Sequence, residues 1–254
     1  MANRLLVTLS VGNEAEAIGP ASLPLLKAYA QHCRADFKVL GSTHRRQGAE
    51  VFYEKLQIRE LLDQYQRVLY IDLDVLVNPR SPDVFEQIPE SAFAATAVES
   101  VLGKVPTEKQ QIQSCLGGIA WPHPYFNAGV MLFGQSAKPM LDYCELNQGK
   151  WVDHIKKHEL RTFHDQTLLN YALNKTNTDF VDLGRAFNFT RAWRQFDQRF
   201  SQHFIHYAGL KGNRDWQMLR DARILTSPRP YWLFKRSPYL TWVCDRLSAL
   251  RHRR

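Results

Sequence analysis

The sequence predicts an α/β fold, a mostly parallel central sheet with helices on both faces, built as a single catalytic-size domain. Three observations predict it. Apolar runs of strand length alternate with amphipathic stretches over residues 5–77. The run Val68-Leu69-Tyr70-Ile71 is continuously apolar, as in a strand buried on both faces. A chain of 254 residues fits one large domain able to bury a full core.

Residues 5–9 read as a first buried strand, with Ser10-Val11-Gly12-Asn13-Glu14 as the loop at its carboxyl end. A helix over residues 23–32 and a short strand over 37–40 complete a βαβ beginning. The polar, basic stretch 43–49 reads as a loop. Beyond it, Ile58, Leu61, Leu62 and Tyr65 recur at the spacing of an amphipathic helix starting near Val51. The strand over 68–71 follows, and the parallel topology makes it central, with its carboxyl end opening onto a crevice. Asn78-Pro79 and Ser81-Pro82 break the chain before a short helix over 83–87. Residues 93–98 read as a strand, whereas 99–114 lack strong periodicity and read as a lid or partner-binding loop. Residues 125–133 form another near-continuous apolar strand, interrupted by Asn127, which needs partners there, and by Gly129, which permits a close approach. Helices are expected over 136–145 and 164–173, the second with its polar groups at its start, and strands over 180–183 and 203–207.

The central strand runs into Asp72-Leu73-Asp74. Two carboxylates in apolar surroundings require a compensating cation, because desolvating an unpaired charge is costly. In extended chain, residues i and i+2 point to one side, so the two acids converge. A divalent cation, manganese or magnesium, holding a substrate phosphate suits that donor set. An arbitrary Asp-x-Asp is more often a solvated strand end; the flanking apolar run favours the metal.

The net charge of +8 favours anionic partners, nucleotides and phosphorylated substrates among them. No recognition motif accompanies the charge, which disfavours nucleic acid. The cysteines, Cys33, Cys115, Cys144 and Cys244, are scattered without a C-x-x-C pair, suggesting neither a zinc knuckle nor a disulfide framework. With no signal-like start and no apolar stretch of membrane-spanning length, a cytoplasmic location is expected. Asn188-Phe189-Thr190 and Asn174-Lys175-Thr176 match the N-glycosylation pattern, which matters only in a secretory lumen. From Arg229 onward, basic residues interleave with Tyr231, Trp232, Phe234, Tyr239 and Trp242. That composition suits peripheral contact with an anionic membrane surface, or equally a helix packing its aromatics on the core.

Asp-Leu-Asp, Tyr-Phe-Asn-Ala-Gly-Val-Met-Leu, His-Asp-Gln-Thr-Leu-Leu-Asn and Phe-Ile-His-Tyr-Ala-Gly-Leu-Lys occur in this order, and the chain thereby resembles glycosyltransferase family 8. The resemblance runs to about Trp216, dividing the chain into a catalytic domain over 1–216 and a basic, aromatic extension over 217–254. It implies a GT-A, Rossmann-like fold, a UDP-sugar or other nucleotide-sugar donor, manganese, and transfer with retention to a hydroxyl of a glycan or glycolipid acceptor. Asp72, Asp74 and His206 match the metal ligands. Asn127, Asp165 and Gln166 match residues facing the donor sugar and are the catalytic candidates. Ser10, Val11, Asn13, Lys55, Leu73, Gly209 and Lys211, with the two acids, are the donor-binding candidates. The chain departs from the family's H-x-x-G-x-x-K-P-W after His206: Lys211 comes one position early and no Pro-Trp follows. Retention is compatible with front-side displacement or with a covalent intermediate, for which Asp165 is a better nucleophile than Gln166. Competing readings are a haloacid dehalogenase-type phosphatase, whose D-x-D follows the first strand rather than the third, and a catalytically silent sugar-nucleotide or membrane-surface binding protein.

Overall fold

The computed structural model describes residues 3–42, 48–209 and 214–251. In chain order the strands and α-helices are β1 (Arg4–Leu9), α1 (Asn13–His32), β2 (Asp36–Leu40), α2 (Ile58–Leu61), β3 (Arg67–Ile71), β4 (Val75–Val77), β5 (Phe93–Ala97), α3 (Val105–Leu116), β6 (Phe126–Phe133), α4 (Lys138–Lys157), α5 (Asp165–Lys175), β7 (Phe180–Asp182), β8 (Phe189–Thr190), β9 (Phe204–His206), α6 (Arg214–Thr226), α7 (Pro228–Arg236) and α8 (Pro238–Arg251). Among the described residues six strands form the main sheet in the order β2-β1-β3-β6-β5-β7. Pairing is parallel except for β6, which runs antiparallel to both β3 and β5. The fold is the predicted mostly parallel α/β type with β3 central.

Strand periodicity divides the core into two layers. Leu69 and Ile71 of β3 point into the layer under α1, α6 and α7, while Val68 and Tyr70 point into the layer under α4 and α5. All five residues of β3 are buried. Each such apolar side chain contributes roughly 1.5–3 kcal/mol relative to exposure. A smaller sheet, β4-β9-β8, stands at the carboxyl end of β3. There Val75 pairs with His206, and the Tyr207 amide donates to the Asp74 carbonyl at 2.9 Å. This pairing brings two distant sequence motifs together.

Three elements differ from expectation. Helix α1 begins at Asn13 and carries Pro20 and Pro24 inside it. Each proline removes a helical hydrogen bond, and the buried stripe Ala15, Ile18, Ala21, Leu25, Leu26, Tyr29 and Ala30 outweighs the loss. The helix expected from Val51 is a 3-10 helix over Gly48–Gln57 followed by the single turn of α2. Winding at three residues per turn aligns Phe52 with Lys55, and both line the same cleft. The expected lid over 99–114 is largely the helix α3, anchored by Val105, Glu108 and Ile112, all buried.

The C-terminal helices dock through a buried charge network. Arg199, itself fully buried, donates through Nε to Asp221 at 2.6 Å and grips both carboxylate oxygens of Asp245 in α8 at 3.0 Å. Tyr207, beside His206, donates to the same Asp221 at 2.6 Å. Tyr231 is buried beneath the Arg80 guanidinium, 3.9 Å above its ring. Trp232, Leu233, Tyr239, Trp242 and Leu247 remain exposed, so the segment has both a core-facing aromatic and an outward apolar face. No helix among the described residues is long and apolar enough to cross a membrane.

Candidate active site

A cleft of about 360 Å³ opens at the carboxyl end of β3. Asp72 and Asp74 lie in the turn between β3 and β4, closed by the Val75 amide donating to the Asp72 carbonyl at 3.1 Å, rather than in extended strand. They converge because β4 turns back to pair with β9, which places His206 against them. Leu73 between them packs into the core and also borders the cleft.

Each acid already has positive neighbours. The Lys55 ammonium sits 3.2 Å from Asp72 and 3.0 Å from Asp165. Burial works against that ammonium, and Asp165 and Asp72 outweigh it, so its pKa is raised. Burial pushes the Asp165 carboxyl up; Lys55 only partly offsets this. Asp74 lies 3.2 Å from His206 Nε2 and 3.0 Å from Arg214. Burial opposes its ionisation, yet His206, Arg214 and Lys55 prevail and hold its pKa down to about 2. Burial lowers the His206 pKa, but Asp74 and Asp72 more than reverse this and raise it. The cleft is therefore built to hold the Asp74 carboxylate ionised at neutral pH.

One side-chain chain links the remaining candidates. Asn188 Nδ2 donates to Asn127 Oδ1 at 2.8 Å, which leaves Asn188 Oδ1 to accept from His206 Nδ1 at 2.8 Å. That tautomer puts the imidazole lone pair on Nε2, the nitrogen facing Asp74. Asn127 Nδ2 donates in turn to Gln166 Oε1 at 2.9 Å, and the Ala128 amide to the same oxygen at 3.1 Å. Gln166 Nε2 is buried with no hydrogen-bond partner, and Gln166 lines the cleft.

Ligand atoms of Asp72, Asp74 and His206 all lie within 4.8 Å of one another, the one such metal-capable group among the described residues. Two carboxylate oxygens and an imidazole nitrogen fit a divalent ion of intermediate hardness, and the second-nitrogen bond to Asn188 is the orientation such a ligand requires. Gly129 makes room for this arrangement: a Cβ there would stand 2.1 Å from His206 Cε1. Gly129→Ala is expected to push the imidazole aside, weakening divalent-ion affinity by about tenfold to a hundredfold and costing about 1–3 kcal/mol of stability by overpacking. A metal titration followed by tryptophan fluorescence, alongside a melting curve, checks both.

Among the other sequence candidates, Val11 and Gly209 border the cleft, Gly209 with φ at 88°. Ser10 does not line it; its amide donates to the Leu40 carbonyl at 2.9 Å. Asn13 begins α1, and its side chain lies outside the description, as does Lys211 altogether. Sequence reasoning missed Arg214, Asn188 and Glu108. Glu108 accepts from Thr162, from Thr167 at 2.6 Å and from the Phe163 amide at 3.1 Å, and so anchors the segment that delivers Asp165. Asn188 had a local signal, since it stands between Phe187 and Phe189 just as Asn127 stands in its apolar strand.

Fold and cleft together define a glycosyltransferase of the GT-A architecture. The chain belongs to glycosyltransferase family 8, whose model, described as Glycosyl transferase family 8, matches residues 23–217. The fold is similar to that of the galactosyltransferase LgtC, solved in complex with donor and acceptor sugar analogues, at TM-score 0.58 and 18% identity, covering 91% of this chain and 99% of that one. It is also similar to a glycosyltransferase involved in glycosylation of the major capsid of PBCV-1, at TM-score 0.55 and 15% identity over 84% and 98% of the two chains. Mouse xyloside xylosyltransferase 1 aligns at TM-score 0.50 and 14% identity over 80% and 96%. Comparison with curated protein sequences finds no match. Family membership sets aside the phosphatase reading.

Proposed function

We propose that this protein is a metal-dependent, retaining glycosyltransferase that moves a sugar from a UDP-sugar to a hydroxyl of a glycan or glycolipid acceptor. The observation that carries this reading is the convergence of Asp72, Asp74 and His206 in one cleft with a second set of polar groups, Asn127, Asp165 and Gln166. Carboxylate and amide groups are suited to reading hydroxyl orientation by hydrogen bonds. Manganese held by the first set would neutralise charge on the departing diphosphate.

The chain's own residues support the rest. Arg214 lies beside Asp74, where it adds positive charge toward the leaving group, and Lys211, which lies outside the described residues, is assigned to the same task by the family resemblance. Lys55 holds Asp165 in place at 3.0 Å. This engagement favours front-side displacement over attack by Asp165: the incoming hydroxyl passes its proton to the departing phosphate oxygen, and no protein base is needed.

Residues 1–216 form the catalytic domain in this reading, and residues 217–254 an extension whose exposed Trp232, Leu233 and Trp242, flanked by Lys235, Arg236 and Arg246, rest on the cytoplasmic face of an anionic membrane. A thermal-shift panel of nucleotide-sugars with and without manganese tests the donor assignment. A UDP-sugar at about a hundred times its Kd is expected to stabilise the fold by roughly 2.7 kcal/mol, and only with manganese. If no UDP-sugar raises the melting temperature, the donor assignment is wrong.

A further inference from the structure

A second cavity, of about 340 Å³, shares no lining residue with the first; Ser100, Val101, Arg185, Phe189, Trp193 and Arg194 are among its walls. Two of those walls leave directly from the candidate active site. Phe189 follows Asn188, the residue bonded to both Asn127 and His206. Ser100 and Val101 follow β5, whose Thr96 pairs with Asn127. The cavity is thus a neighbour of the reacting groups, on the side of β5 and β8.

Its two arginines lack side-chain partners among the described residues. Arg185 and Arg194 form no side-chain hydrogen bond, ion pair or ring contact among the described residues. The arginines around them are differently placed: Arg191 donates to Gln217 at 2.6 Å, and Arg199 is committed to Asp221 and Asp245. Trp193 is half-buried, and its indole Nε1 is shielded from solvent without a hydrogen-bond partner. A single free surface arginine is ordinary. Two exposed arginines beside one cavity, with the Trp193 side chain in its wall, give that space two cationic groups and an aromatic surface.

Guanidinium forks match carboxylates and phosphates in geometry and charge, and an indole ring offers an apolar face to a sugar. We propose that this cavity binds an acidic saccharide, one bearing a carboxylate or a phosphate, with Arg185 and Arg194 holding the anionic group and the Trp193 side chain packing against the sugar ring. Its role as the acceptor subsite rests on the glycosyl-transfer reading above. The net charge of +8 fits the same preference.

The test is NMR titration of the full chain labelled at indole nitrogens, with the Trp193 signal assigned from Trp193→Phe. Glucose 6-phosphate, galacturonate, glucose, galactose and inorganic phosphate are the probes. The proposal expects glucose 6-phosphate or galacturonate to move the Trp193 signal at concentrations about tenfold below the neutral sugars. Whichever of the two acts assigns the anionic group. Arg185→Gln with Arg194→Gln is expected to weaken that response by about tenfold or more while circular dichroism and melting temperature hold. Equal response to neutral sugars, a response to inorganic phosphate as strong as to glucose 6-phosphate, an unchanged response in the double variant, or a silent Trp193 signal would each overturn it. UDP with manganese, added to the same sample, separates the two readings. Failure of UDP to bind while an acidic sugar still does would overturn the transferase assignment and leave the saccharide site standing.

Discussion

Asp74→Asn lowers manganese-dependent hydrolysis of the donor by at least about a hundredfold, some 2.7 kcal/mol of transition-state stabilisation. Asn keeps the size and shape of the side chain and removes its charge. The wild-type carboxyl, with a pKa of about 2, is fully ionised at neutral pH in spite of its burial. Its two oxygens face His206 and Arg214, so the variant retains hydrogen-bonding atoms there but no anion to hold a cation. The manganese-dependent part of UDP-induced stabilisation disappears with the activity. Hydrolysis within about tenfold of wild type would mean that Asp74 does not serve the metal.

Arg199→Ala acts on stability rather than chemistry, and its effect is of the largest class for a single substitution, about 3–5 kcal/mol. Removing the guanidinium strips one ion pair from Asp221, which has no exposed side-chain surface, and two hydrogen bonds from Asp245 of α8, leaving both carboxylates to Arg220. Urea unfolding at neutral pH measures the loss. The same network gives the pH dependence a definite sign. Burial opposes ionisation of Asp245, Arg199 and Arg220 outweigh it, and its pKa is lowered on folding. A group depressed in this way stabilises the fold above its unfolded pKa of about 3.9 and stops doing so as pH falls through the folded value. Wild type therefore loses stability below about pH 4 more steeply than Asp245→Asn. Parallel acid curves for the two proteins would refute the assignment.

The parts of the fold legible in the sequence are those whose signal is local. The run before Asp72 is apolar because β3 is buried on both faces, and Asn127 and Gly129 stand out in β6 because each breaks an apolar strand for a reason, one bonding Gln166 and Asn188, the other clearing space for His206. The parts that were not legible depend on distant partners. Glu108 sits at a helical spacing from Val105 and Ile112, yet a carboxylate within a buried stripe reads as loop until the hydroxyls that donate to it, those of Thr162 and Thr167, are brought beside it. The start of α1 was hidden by two prolines whose cost is outweighed by burial across the whole helix. Nothing in the sequence around Lys55 tells a lysine on a solvated helix face from one in a cleft; the 3-10 winding of its segment turns it inward onto Asp72 and Asp165.

The pairing of β4 with β9 has a consequence for time as well as space. Asp72 and Asp74 leave the ribosome long before His206, and the ladder that joins Val75 to His206 spans most of the interval between them. Domains are assembled from the amino end as they are made. A nascent chain therefore displays two of the three groups proposed to hold the cation while the third does not yet exist, and the constellation closes only when β9 slots beside β4. Catalytic competence in this protein is accordingly a late event in its biosynthesis, and a chain that turns over substrate is one that has finished folding.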